Sequence, residues 1–383
     1  MIESSVTWAT GLTSARTGAR AGLQHSPLPV AEAPWLVDYE LDHKRGAWLA
    51  GQLGQRPWTL WRYRELLPMV DWHQRVDLGA GGTPLISVTR LFPDHGGISI
   101  KEEGGNPTGS FKARGLALAV SRARELGAPG VELPSAGNAA IAASAYAAAA
   151  ELPCRIALPV GTPKTVLDRC RVFGTQVLVG GETLVDSRQL LASDDQGFWD
   201  LSTFKEPYRV EGKKTLGLEL AEQLGWRLPD WIVYPTGGGT GIVGMAKAFA
   251  ELRALGLLTE ETCRFAVVQM QGCAPVVEAF HRGDESVAAW RSPSTNVWGL
   301  RVPETIADFL ILQSLRDSQG AAVAVDESRV APMQAKAAEL EGLDVGPEGA
   351  AALLGVESLI EQGELEGGDS VVVFQTGNPA NYR

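Results

Sequence analysis

From about Val131 onward, strand and helix alternate steadily along this chain, and that alternation constrains the fold more than any other feature. Val131 to Pro134 reads as a strand, Ala139 to Leu152 as an alanine-rich helix, Arg155 to Val160 as a strand, Pro163 to Phe173 as a helix and Thr175 to Val179 as a strand. Further strands are predicted at Trp231 to Tyr234, Phe265 to Gln269, Ala321 to Val325 and Val371 to Phe374. The long helices between them are predicted at Lys213 to Leu224, Ile242 to Leu255, Pro303 to Asp317 and Glu327 to Glu341. This order predicts an α/β protein of parallel sheets covered by helices on both faces. In such sheets ligands gather beyond the carboxyl ends of strands, so the polar, glycine-rich loops there are the candidate sites.

Four loops stand out. In the first, the β-branched run Ile98-Ser99-Ile100 leads into Gly104-Gly105-Asn106-Pro107-Thr108-Gly109-Ser110-Phe111-Lys112, and a helical pattern begins at the lysine. The positive end of a helix disfavours a cation, and that field with partial burial leaves more free amine, which Schiff-base chemistry requires. Taken alone, a solvent-facing lysine near a helix start explains it equally well. The second loop, Ser135-Ala136-Gly137-Asn138, allows close backbone approach, and Asn138 serves either as a hydrogen-bond donor to a ring substituent or as a plain helix cap.

The third, Thr236-Gly237-Gly238-Gly239-Thr240-Gly241, runs straight into a helix and reads as a phosphate cradle. Gly239, Gly241 and Gly244 also satisfy a dinucleotide pattern, but the next strand closes on Gln269-Met270-Gln271 where that reading expects an acidic residue. A mononucleotide-like phosphate fits better. The fourth loop, Phe374-Gln375-Thr376-Gly377-Asn378, offers a neutral hydroxyl at Thr376.

Composition narrows the classes. With 34 basic and 45 acidic residues the net charge is -11, and nothing basic clusters into a nucleic-acid face. At 383 residues and 45% hydrophobic content, the chain has enough material for two domains. Cys154, Cys170, Cys263 and Cys273 are scattered, as are His25, His43, His73, His95 and His281, so no metal or disulfide framework is expected. No apolar run reaches membrane-spanning length and no signal pattern opens the sequence, which points to a cytoplasmic protein. Residues 1 to about 30 read as an arm or partly disordered leader. Trp35, Trp48, Trp58 and Trp61, with Tyr39 and Tyr63, need a surface to pack on, either the main body or a partner subunit.

A lysine, an asparagine loop, a phosphate cradle and a neutral hydroxyl together describe a pyridoxal phosphate site. The chain resembles the tryptophan-synthase-β-like (fold type II) family of pyridoxal-phosphate enzymes, and within it the threonine synthases. The resemblance runs from about Trp61 to the end, and is carried by Asn106 to Lys112, Ser135 to Asn138, Tyr208-Arg209-Val210-Glu211-Gly212-Lys213-Lys214-Thr215 and Pro235 to Gly241. It implies two parallel-sheet, three-layer α/β domains: a small mobile one at 119–204 and a large cofactor-binding one at 76–118 with 205–383, after an N-terminal arm and Trp-rich segment at 1–75. It implies Lys112 as the catalytic, cofactor-bearing residue, Asn138 on the 3-hydroxyl, Gly237, Gly238, Gly239, Thr240 and Gly241 on the phosphate, and Thr376 on the pyridine nitrogen.

For substrate it implies O-phosphohomoserine, converted with water to threonine and phosphate. Ser110, Ser135, Ser202, Lys205 and Arg209 would bind it, Arg209 as a phosphate fork unless it and Lys205 merely form surface ion pairs with Glu206 and Glu211. A homodimer is expected. Ala80, Ala113 and Ala139 stand where threonine synthases often carry Glu, Asp and Thr, and the cysteines of a zinc knuckle are absent. The alternatives are a serine or threonine dehydratase, a cysteate synthase-like enzyme, or a non-catalytic binding protein of the same fold.

Overall fold

The computed structural model of the protein describes residues 7–24, 28–259 and 262–382. Within the stretch expected to be an arm, β1 (Ala9–Ser14) pairs antiparallel with β2 (Arg20–Ala21) and with β3 (Trp35–Tyr39), correcting that expectation for residues 9–21. Residues 1–6 and 25–27, including His25, lie outside the described part. Trp8, Leu12, Trp35 and Val37 are buried. The small sheet is tied to the body by Tyr39, whose hydroxyl donates to Glu211 Oε2 at 2.8 Å. The Trp-rich segment, which includes α1 (His43–Leu53), packs on the chain's own core: Trp61 is buried and Trp48 lies against the main cluster, while Trp58 stays exposed beneath Arg62.

The rest alternates as expected. In order come β4 (Leu85–Ser87), β5 (Ile98–Glu102), α2 (Lys112–Glu125), β6 (Val131–Pro134), α3 (Asn138–Ala149), β7 (Cys154–Leu158), α4 (Lys164–Val172), β8 (Gln176–Val179), α5 (Leu184–Ala192) and β9 (Trp199–Asp200). Then follow α6 (Tyr208–Gln223), β10 (Trp231–Pro235), α7 (Thr240–Ala254), β11 (Arg264–Met270), α8 (Pro275–Arg282), α9 (Asp308–Asp317), β12 (Ala321–Val325), α10 (Val330–Glu341), α11 (Pro347–Glu361) and β13 (Val371–Gln375). Two larger sheets result, ordered β12-β11-β10-β13-β5-β4 and β8-β7-β6-β9. All their pairings are parallel except that of β4, a three-residue edge strand running antiparallel to β5. Among the described residues no helix is long and apolar enough to cross a membrane, and no cluster of His, Cys, Asp and Glu could hold a metal.

Several predicted boundaries move for physical reasons. The helix expected from Lys213 starts at Tyr208, because the Glu206 carboxylate accepts from the Tyr208 and Arg209 N–H groups and caps it. Arg209, Lys213 and Lys214 therefore share one helix. The helix expected from Pro303 starts at Asp308, and the one from Glu327 begins as a 3-10 turn before Val330. Helix α11 escapes the periodicity argument because it is apolar nearly all round, with Ala350 to Leu354 buried.

Helices α2 and α6 touch where Gly115 meets Gly212: a Cβ on Gly212 would lie 2.3 Å from the Arg114 carbonyl oxygen. That contact seals a buried ionic network. Arg114 bonds Glu103 at 2.7 Å and Glu219 at 3.0 Å, Lys101 bonds Glu219 at 2.5 Å, and all four side chains are inaccessible to solvent. Glu219 also accepts from the Gly82 and Thr83 N–H groups, and Asn106 bonds both Gly81 and Glu103. The network thus fixes the turn entering β4 and the loop leaving β5 as one unit.

Candidate functional site

After β5 the chain makes two 3-10 turns, Glu103–Gly105 and Pro107–Gly109, before Lys112 opens α2. Thr108 at φ 64° and Gly109 at φ 76° hold the second turn in the left-handed region. Ser110 pairs with Gly377 as an antiparallel bridge, and the Phe111 N–H donates to the Thr376 carbonyl at 3.0 Å. The lysine loop and the Thr376 loop, far apart in sequence, are thereby joined. The buried hydroxyls of Thr108 and Ser110 have no partner among the described residues.

The Lys112 side chain is half-buried, with Nζ 4.2 Å from the centre of the Phe111 ring. Burial, reinforced by the Arg209 guanidinium and opposed by the Glu348 carboxylate, lowers its pKa to about 7. A lysine so placed is about half free amine at neutral pH, where an ordinary lysine is almost wholly charged. In cofactor-free protein its acylation rate is expected to rise about tenfold per pH unit and flatten above about pH 7, whereas an ordinary lysine keeps gaining to beyond about pH 10. A rate still climbing at about pH 9 contradicts this, and peptide mapping of the label is the readout. Beneath it, buried Lys213 donates to the Phe111 carbonyl oxygen and lies 3.7 Å from the same ring; burial first, then Lys112 and Arg209, push its pKa well down.

On the opposite side Asn138 opens α3. Its Nδ2 is 2.9 Å from Tyr382 Oη and its Oδ1 accepts from Asn381 at 2.8 Å. Burial, and then the Glu348 carboxylate beside it, raise the pKa of the Tyr382 hydroxyl; Glu348 Oε1 accepts from the Gly299 N–H at 3.0 Å and its Oε2 is buried without a partner. Thr376 is buried on the same loop that carries Gly377 and Asn378.

The glycine loop lies between β10 and α7. Gly239 has φ 79°, and α7 starts at Thr240 with no side-chain cap on its first N–H groups. On the protein side the loop has no room: a Cβ would lie 2.5 Å from Gly299 O at Gly237, 3.1 Å from Thr203 at Gly238 and 2.2 Å from Tyr234 Oη at Gly241. Gln269 supports it, donating to Thr236 O at 3.1 Å while its Oε1 caps Val276 and Val277. The residue that argued against a dinucleotide is thus a strut for the loop.

Arg209 is buried, its Nη1 donating to Leu201 O at 2.6 Å and its Nε unpartnered; Glu211 pairs instead with Lys214 and Lys247. The surface-pair explanation therefore does not hold for Arg209. Lys205 bonds Asp200 at 3.0 Å, and Ser202 Oγ accepts from Arg188 at 2.8 Å. Ser135 follows β6, with its N–H on Ala157 O. Burial raises the Glu206 pKa to about 7 beside Arg209. Ala113 is fully buried, as is Ala80 almost, and Ala139 lies beside Asn138.

These features fit a phosphorylated aldehyde cofactor. The uncapped start of a 15-residue helix suits a dianion, the amine at Lys112 suits a carbonyl, and unpartnered Arg209 Nε, Ser110 Oγ and Thr108 Oγ1 suit further polar groups. The sequence reading missed Glu348, Asn381 and Tyr382. Glu348 carried one signal, an acidic residue just after Pro347 at a helix start, which reads equally as a dipole-favoured surface charge. Nothing local singled out Asn381 or Tyr382.

The profile of the family described as "Pyridoxal-phosphate dependent enzyme" matches residues 76–377. The chain is similar to the threonine synthase of Methanocaldococcus jannaschii, 32% identical over 333 residues covering 85% of this chain and 82% of that one. It is 33% identical to the threonine synthase of Methanosarcina acetivorans, covering 84% of this chain and 79% of that one. Among solved structures, maize serine racemase superposes with a TM-score of 0.67 at 20% identity, covering 88% of this chain and 94% of the other. Threonine deaminase isoform 2 from Solanum lycopersicum gives 0.65 at 21%, covering 88% and 90%. At such identities these two speak for the fold alone.

Proposed function

The chain belongs to the family of pyridoxal-phosphate dependent enzymes of fold type II, and on that premise we propose that it converts O-phosphohomoserine and water to threonine and phosphate. The observation that carries this reading is Arg209, buried beside Lys112 with a guanidinium N–H left unpartnered, alongside the separate cradle at Gly237 to Gly241. A site for two anions, one on the cofactor and one on the substrate, needs both. When bound, pyridoxal phosphate supplies an electron sink for carbanions next to an amino group.

The protein's own residues do the rest. Lys112 Nζ, with a substantial free-amine fraction near pH 7, would carry the cofactor and hold and move the Cα and Cβ protons. Asn138 would donate to the 3-oxygen, and the Thr376 hydroxyl would meet the ring nitrogen without the charge of a carboxylate, which suits elimination and replacement over transamination. The N–H groups of Gly237 to Gly241 would receive the cofactor phosphate. Arg209, with Ser110, Ser135, Ser202 and Lys205 around the opening, receives the substrate phosphate. The unit at 119–204 closes over the substrate and excludes water. We place the enzyme in the cytoplasm as a homodimer, which a concentration-independent monomer mass in sedimentation would contradict.

The test is to incubate the cofactor-loaded protein with O-phosphohomoserine and follow phosphate and amino acid together. Equal amounts of phosphate and threonine are expected, and Arg209→Leu should raise KM about tenfold or more. The buried alanines at 113 and 139 favour one second reading, a β-elimination or β-replacement enzyme acting on a different anionic amino acid. No phosphate from O-phosphohomoserine, with turnover of phosphoserine, would select it.

A further inference from the structure

The turn Pro379–Asn381 with Tyr382 folds back into the site, and the direction of each amide hydrogen bond it makes there is determined. Arg169 can only donate, and it gives Nη1 to Asn381 Oδ1 and Nη2 to Thr108 O at 3.2 Å. That fixes the Asn381 amide. Its Nδ2 faces three acceptors, Thr108 O at 3.2 Å, Gly109 O at 3.0 Å and Asn138 Oδ1 at 2.8 Å. Since Asn138 Oδ1 accepts, Asn138 Nδ2 must be the donor, with one proton on Tyr382 Oη at 2.9 Å. Beyond it, the Glu348 carboxylate lies close enough to add to the effect of burial in raising the pKa of the Tyr382 hydroxyl. The polarity runs one way: Arg169, Asn381, Asn138, Tyr382.

One Asn138 N–H remains. Gly377 leaves the space in front of it open, since a Cβ there would sit 3.1 Å from Asn138 Nδ2 and 2.8 Å from Tyr382 Oη. We propose that Pro379–Tyr382 is a polarity-setting strap, with Asn381 and Tyr382 as positioning residues that aim the remaining Asn138 N–H at the cofactor's 3-oxygen. This rests on the cofactor reading above. Without the strap the Asn138 amide is free to rotate, and half its orientations present oxygen to oxygen. In this way the lysine turn, through Thr108 and Gly109, and the mobile Asn138 helix share one latch.

Asn381→Asp tests it, because the side chain keeps its shape and loses its donors. The readouts are the pyridoxal phosphate dissociation constant from tryptophan quenching, the visible absorbance of the bound cofactor, and the melting of the cofactor-free protein. Asn381→Asp is expected to weaken cofactor binding about tenfold and shift the absorbance, with cofactor-free melting close to wild type. Tyr382→Phe is expected to weaken it about two- to fivefold, since Asn381 still sets the amide. Wild-type affinity and spectrum in Asn381→Asp overturn the strap, as does wild-type behaviour in Tyr382→Phe should Asn381→Asp fail to fold. Wild-type protein that binds no pyridoxal phosphate overturns the cofactor reading and the strap with it, whereas loss confined to the variants separates the two.

Discussion

Replacing Lys112 with alanine is expected to leave a folded protein that has lost the visible absorbance of lysine-bound cofactor and at least about 10³-fold in turnover. Folding should survive because the amine contributes little to stability: Lys112 is half-buried, forms no ion pair among the described residues, and its lowered pKa shows that the protein disfavours its charged form. Catalysis should not survive, because no neighbour can take over. Lys213 is the nearest amine by electrostatic influence, but it is buried and bound to the Phe111 carbonyl oxygen, with its stem against the Phe111 ring. Moving it into the site would strand that carbonyl and open a gap in the core. Absorbance spectra and steady-state kinetics check the outcome together with a melting curve. Retained turnover would remove Lys112 from the mechanism.

Arg114→Met carries the largest expected effect on stability, a loss of about 3–5 kcal/mol. Arg114 makes six hydrogen bonds or ion contacts to Glu103, Glu219, Thr83 and Thr215 in a space with no solvent access. Burial alone would raise the pKa of Glu103, but Arg114 holds it below the ordinary value; Arg114 and Lys101 do the same for Glu219. Removing the guanidinium leaves two buried carboxylates facing one lysine. The sign of the pH dependence follows. In wild type, carboxylates with lowered pKa give stability that is present above their unfolded pKa and lost as pH falls below it. In Arg114→Met those pKa values rise, so the deficit is largest near neutral pH and shrinks as acid protonates Glu103. Urea unfolding of both proteins at about pH 7 and about pH 5 measures it, and Glu103→Gln added to Arg114→Met should restore part of the loss. A deficit below about 1 kcal/mol would mean that water reaches the network.

The two larger sheets were legible because buried parallel strands are written as continuous β-branched runs such as Val371-Val372-Val373, which local pattern alone identifies. The places of the glycine loop, between β10 and α7, and of Lys112, at the start of α2, were legible for a related reason: the turn-rich glycine runs before them mark where a strand ends and a helix begins. The N-terminal sheet was not, since in β1 only Leu12 and Ser14 turn fully inward and the remaining residues are small or polar. Helix α11 was hidden by being apolar on nearly every face. Glu348, Asn381 and Tyr382 were invisible for a different reason. Their partners Gly299, Thr108 and Asn138 lie far away in the chain, and only the closed fold brings those groups within hydrogen-bond range. Arg209 stood between these cases, because its place in the sequence was noted while its burial was not deducible.

The central claim is that one amine, that of Lys112, receives the cofactor. Incubating the protein with pyridoxal phosphate, reducing with borohydride and mapping the peptides tests it directly. The expected result is a single pyridoxyl group on Lys112 at one equivalent per chain, with Lys101, Lys213 and Lys214 unmodified. A label on Lys213, or a protein that takes up none, would contradict the account.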